Sequence, residues 1–153
     1  MRKLEKNRVF EGNLILVNQN YPLRCTIAAK NLCPVFENQS QILMQQECAG
    51  MLDKLFQELN WSISEEIYQL IVGVSGYRTK SEQEEIFDDS LKENGRAFTE
   101  KYVAFPDHSE HQTGLAIDLA ENREEIDFIR PQFPYQGICQ KFREKIADFG
   151  FIE

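Results

Sequence analysis

Leu70-Ile71-Val72-Gly73-Val74-Ser75-Gly76-Tyr77-Arg78-Thr79-Lys80-Ser81-Glu82 changes structural period within a few residues. Leu70 to Val74 is an apolar, β-branched run that reads as a buried strand, and Ser75-Gly76 turns the chain. Thr79-Lys80-Ser81-Glu82 is a capping box, with a hydroxyl to accept from the N3 amide and a carboxylate to reach back to the cap amide. It predicts a helix through about Lys92, with Gly95 past its end. A strand delivered into a capped helix argues for a mixed fold.

Toward the N-terminus, Ile42, Leu43, Cys48, Met51, Leu52, Leu55, Phe56 and Leu59 recur at three and four residues. This spacing predicts a long amphipathic helix from Ser40, which would be its N-cap. Residues 23–39 read as irregular with room for one short strand, and Asn13 to Asn18 reads as a strand followed by a turn. Toward the C-terminus, Phe98 to Phe105 alternates loosely and is expected to be extended until Pro106. Leu115 to Ala120 reads as a strand and residues 121–137 as a polar connection. Ile138, Phe142, Ile146 and Phe149 share one face of a final helix closed by Gly150. Phe151-Ile152-Glu153 reads as the start of a further strand. The expectation is an α+β fold in one domain, residues 1–153, with a largely antiparallel sheet flanked by helices and lacking its last strands.

The formal charge of −8 argues against a nucleic-acid or anionic-membrane partner, because either would need a basic face. The Arg2-Lys3…Lys6…Arg8 cluster is too small to reverse that reading. The charged start lacks the apolar stretch of a signal peptide, and no run approaches the about eighteen apolar residues of a membrane span. A cytoplasmic protein is expected, with Cys25, Cys33, Cys48 and Cys139 as reduced thiols. A Cys25–Cys33 pair fits the spacing but not that compartment. Nothing in the sequence sets an oligomeric state.

The chemistry lies in Ser109-Glu110-His111-Gln112-Thr113-Gly114-Leu115-Ala116-Ile117-Asp118. An imidazole and a carboxylate are both good zinc donors, and Gly114 permits a tight path between them. Spacing alone also fits a loop histidine and an aspartate capping a strand end. Arg78, leaving a permissive turn at a helix start, could grip a carboxylate or a developing oxyanion. It could equally be an exposed partner of Glu82. His108 follows a Pro106-Asp107 turn and is expected to face solvent rather than a metal. Glu110 adjoins His111 and would point away from it in an extended segment, so it is a poor general base.

Taken together, these segments resemble the zinc D-alanyl-D-alanine carboxypeptidases and dipeptidases of the VanY, VanX and VanXY type, and most of all the VanXY type. The resemblance is carried by Ser75-Gly76-Tyr77-Arg78-Thr79 with Gln83, and by Ser109-x-His111-x-x-Gly114-x-Ala116-x-Asp118. It continues through Asn13–Asn18, Ser90–Gly95, Phe98–Ala104, Ile126–Pro131 and Phe149–Ile152, which is nearly the whole chain. It implies one zinc ion with His111 and Asp118 as ligands, and Arg78 polarising the scissile carbonyl or steadying the tetrahedral intermediate. Gln83 and Ser109 would contribute to the substrate pocket. The implied chemistry is metal-assisted hydrolysis of small D-alanyl-D-alanine-containing peptides of peptidoglycan metabolism or glycopeptide resistance.

The resemblance also implies a Glu-x-x-His element that supplies a glutamate base and a third ligand, and residues 1–153 contain none. The expectation is a C-terminally incomplete peptidase-like domain that is inactive alone. A non-catalytic module binding D-Ala-ended ligands and a defective fragment are the alternatives.

Overall fold

The computed structural model describes residues 15–62, 67–127 and 130–153. Asn13 and Leu14 of the predicted first strand, the basic cluster before them, and Phe128-Ile129 lie outside the described residues. The chain forms two compact units. One comprises residues 1–29 and 77–116, the other residues 30–76 and 117–153.

The second unit contains all the strands found among the described residues. β1 (Leu32–Phe36) and β2 (Gln39–Gln45) form an antiparallel hairpin, pairing Cys33 with Met44 and Pro34 with Leu43. The predicted helix from Ser40 is therefore corrected: Ser40 lies in a strand, and α1 spans Gln46–Ser62. Burial of Ile42 and Met44, alternating with less buried neighbours, shows the period-2 pattern that pairing with β1 imposes. From Cys48 onward the helical spacing holds, and α1 buries Ala49, Leu52, Leu55, Phe56 and Leu59.

After the short helix α2 (Ile67–Leu70), β3 (Ile71–Ser75) pairs antiparallel with β4 (Asp118–Glu121). Ile71 faces Glu121 and Ser75 faces Asp118, with an irregular register between Gly73 and Ser75. The strand predicted from Leu115 thus starts three residues later. α5 (Gly137–Ile146) buries Cys139 and Phe142 and is followed by a 3-10 turn closed by Gly150 in the left-handed region. Phe56 is the centre of the core, with ring centroids 4.9 Å from Tyr68 and 5.7 Å from both Phe36 and Phe142. Each such buried ring contributes roughly 1.5–3 kcal/mol.

Two contacts fix the end of β3, from which the chain leaves toward Arg78. The Gln39 side chain donates to the Gly73 carbonyl at 2.8 Å and accepts from the Gly73 amide at 3.0 Å. Gly76 lies so close to Leu43 that a Cβ would sit 2.5 Å from the Leu43 carbonyl oxygen.

The first unit is helical where regular. α3 spans Lys80–Asn94, and Gly95 at φ 76° separates it from α4 (Arg96–Tyr102). The extended segment predicted from Phe98 is a helix instead. Phe98 stacks on Tyr102 one turn later at 4.7 Å, and the buried Thr99 hydroxyl lies 2.8 Å from Ser90 Oγ. Of the predicted first strand, residues 15–17 are not paired, and Asn18 bridges Tyr21 across a tight turn. The mixture of helices with antiparallel strands is the one expected. Among the described residues no helix is long and apolar enough to cross a membrane.

Candidate metal and substrate site

Arg78 stands immediately before the capping box of α3. Thr79 is the N-cap of α3, and its Oγ1 accepts from the Glu82 amide at 3.2 Å. Glu82 Oε2 in turn accepts from the Thr79 amide and hydroxyl, each at 2.7 Å. These hydrogen bonds, with a smaller contribution from the Arg78 charge, hold the Glu82 carboxyl below the ordinary glutamate range. Burial, and then the Glu82 charge, push the Tyr77 phenol up.

Glu82 closes the capping box, while Arg78 reaches Gln83. Arg78 Nη1 donates to Gln83 Oε1 at 2.7 Å, and Gln83 Nε2 donates to the Ala104 carbonyl at 2.7 Å. Gln83 is 1% exposed, so both ends of its amide are used inside the protein.

His111 sits in a 3-10 turn, Glu110–Thr113, that follows Ser109 and ends at Gly114 with φ 67°. The His111 carbonyl accepts from the Gly114 amide and from the Arg78 amide, each at 3.2 Å. Thr113 Oγ1 donates to the Glu110 carbonyl at 2.5 Å and accepts from the Leu115 amide at 3.0 Å. Ser109, His111, Gln112 and Thr113 are buried, whereas Glu110 is exposed. Arg78, Gln83, Ser109 and His111 all belong to the first compact unit.

Asp118 belongs to the second unit, where it opens β4 opposite Ser75. A buried imidazole and a carboxylate at a strand start are donor types that suit zinc. Among the described residues no group of three or more His, Cys, Asp and Glu side chains could hold a metal ion. His108, expected to face solvent, is half-buried, and its Nδ1 lies 2.7 Å from the Asn18 carbonyl, to which it must donate.

Sequence reasoning missed Gln112 and Asp107. Gln112 Oε1 accepts from the Asp107 amide at 2.7 Å, and Asp107 pairs with Lys80. The Pro106-Asp107 dipeptide announced a turn, but neither long-range partner is written in it.

Residues 41–153 match the VanY D-alanyl-D-alanine carboxypeptidase family. The bifunctional D-Ala-D-Ala dipeptidase and D-Ala-D-Ala carboxypeptidase VanXYC of Enterococcus gallinarum is 35% identical, over 92% of this chain and 72% of its own length. The crystal structure of the vancomycin resistance D,D-dipeptidase VanXYg, in complex with a D-Ala-D-Ala phosphinate analog, aligns at a TM-score of 0.83 with 51% identity. It covers 96% of this chain, while the chain spans 56% of that protein's. A mutant of the vancomycin resistance D,D-pentapeptidase VanY from a VanB-type resistance cassette, in complex with Zn(II), aligns at a TM-score of 0.58. It is 25% identical and covers 92% of this chain and 75% of its own.

Proposed function

The chain belongs to the VanY family of D-alanyl-D-alanine carboxypeptidases, and from that premise we propose that the protein serves zinc-dependent hydrolysis of D-alanyl-D-alanine or removal of the terminal D-alanine from peptidoglycan precursors. The observation that carries this reading is the buried His111 of the Ser109–Asp118 stretch, tied through its carbonyl to the Arg78 amide. His111 and Asp118 are the two ligands assigned to zinc, and both are donor types that zinc takes. Bound zinc supplies Lewis acidity and lowers the pKa of water toward neutrality.

The remaining work falls to the chain's own side chains. Arg78 presents a planar fork suited to a carboxylate or a developing oxyanion, and Gln83 fixes that fork through Nη1. Ser109, buried two residues before His111, is the further side chain assigned to the D-alanyl ligand. A cytoplasmic site of action would make soluble precursors, rather than mature cell wall, the substrates. Burial pushes the Cys48 and Cys139 thiols up to about 11, so both stay protonated at neutral pH.

Residues 1–153 contain no Glu-x-x-His element. For these residues alone two readings stand beside hydrolysis: binding of D-Ala-ended peptides without turnover, and a defective fragment that does neither. The test is zinc titration of the metal-free chain together with a D-alanine release assay. His111→Ala and Asp118→Ala are each expected to weaken zinc at least about tenfold, as losing a ligand should. Little or no D-alanine should be released. Unchanged zinc affinity in both variants contradicts the ligand assignment. Rapid turnover abolished by a chelator and by His111→Ala contradicts binding without turnover.

A further inference from the structure

We infer that Asp107 is a positioning residue, holding the His111 turn in register with the start of α3 through its ion pair to Lys80; the inference rests on the proposed function for the roles of Arg78 and His111. Phe105-Pro106-Asp107-His108 is a turn closed by the His108 amide on the Phe105 carbonyl at 2.9 Å. Proline at the second position and a positive φ at the third mark a type II turn, whose third position favours glycine. That position is Asp107 at φ 69°, the sole non-glycine with positive φ among the described residues. A side chain there strains the backbone, so its presence points to a use for the carboxylate.

The use is visible in its contacts. The carboxylate pairs with Nζ of Lys80, the first residue of α3 and two positions after Arg78. The Asp107 amide donates to Oε1 of Gln112, the neighbour of His111, at 2.7 Å. Its carbonyl accepts from the Leu23 amide at 2.6 Å. One residue thus ties the start of α3, two positions after Arg78, to the turn carrying His111, within a single compact unit. The Lys80 and Asp107 side chains are 54% and 36% exposed, so the pair adds little to global stability. Its effect is local: it selects where the 105–108 turn sits against the first turn of α3.

The test is residue-resolved amide hydrogen exchange of the full chain, comparing wild type with Lys80→Met, Lys80→Arg and Asp107→Gly. The probes are the Arg78 and Gly114 amides, both donors to the His111 carbonyl. In Lys80→Met and Asp107→Gly these should exchange about three- to fivefold faster, while amides in the middle of α3 stay at the wild-type rate. Lys80→Arg should restore the wild-type rates. The double variant Lys80→Met/Asp107→Gly should exchange no faster than the faster single variant, because both changes remove one interaction. Zinc affinity should fall about threefold in the two loosened variants and hold in Lys80→Arg. Uniform acceleration through α3, or unchanged Arg78 exchange in Lys80→Met, overturns the inference. A wild-type chain that binds no zinc contradicts the metal assignment instead, and the exchange rates still decide the role of Asp107.

Discussion

The backbone amide of Arg78 donates to the backbone carbonyl of His111 at 3.2 Å, although the two are 33 positions apart in sequence. The same carbonyl also accepts from the Gly114 amide, so one oxygen sets the conformation of the turn and its register against Arg78. Local turn chemistry and the spacing of two candidate site residues are therefore coupled through a single peptide group.

Gly114→Ala should disturb both. At φ 67° an added Cβ costs roughly 1–2 kcal/mol, to be read from urea denaturation. Zinc binding should weaken in parallel. Gly114→Asn should cost less, since asparagine tolerates the left-handed region better.

Gln83→Leu keeps the approximate volume but removes the hydrogen bonds to Arg78 and Ala104. A buried carbonyl losing its donor should lower stability by about 1–3 kcal/mol, seen as a lower denaturant midpoint. Gln83→Glu keeps an acceptor for Arg78 and loses the donor to Ala104, so ligand binding should survive better than in Gln83→Leu.

The α3 cap should give a pH-dependent stability increment. The Glu82 pKa is lowered in the folded chain by its hydrogen bonds to Thr79. Its contribution is thus fully present above the ordinary glutamate value of about 4.3 and fades as pH falls through the lower folded value. Glu82→Gln should flatten the stability profile in that acidic window. Thr79→Ala should cost about 1 kcal/mol at neutral pH, measured by denaturant titration.

The contrast between that cap and the site explains what was legible in the sequence. Thr79 and Glu82 are three residues apart, so the capping box and the helix to Gly95 could be read directly. Residues 40–45 could not, because Ile42 and Leu43 fit the spacing of the following helix. Only pairing of Leu43 and Met44 with Pro34 and Cys33 makes them a strand. In α4, the Phe98–Tyr102 spacing was a helical signal, but the loose alternation up to Phe105 obscured it. For the site, residue types and resemblance singled out Arg78, Gln83, Ser109, His111 and Asp118. The Arg78–His111 bond and the Asp107 contacts are tertiary and leave no local pattern.

Two glycines should respond oppositely to alanine. At Gly76 the new Cβ would meet Leu43 backbone atoms at 2.5 and 2.9 Å, and backbone cannot yield as a side chain can. Gly76→Ala should destabilise by about 1–3 kcal/mol. At Gly50, within α1, nothing lies within 4 Å. Gly50→Ala should stabilise by roughly 0.5–1 kcal/mol. Thermal denaturation of the pair checks both signs.

The central claim, that this chain presents a zinc-dependent site for D-Ala-ended peptides, is tested most directly by titration calorimetry of the zinc-loaded chain with D-alanyl-D-alanine. A saturable heat that disappears in Arg78→Ala and after chelation of the metal is the expected result. Absence of saturable heat in the zinc-loaded wild-type chain, or heat indifferent to both Arg78→Ala and chelation, would contradict it.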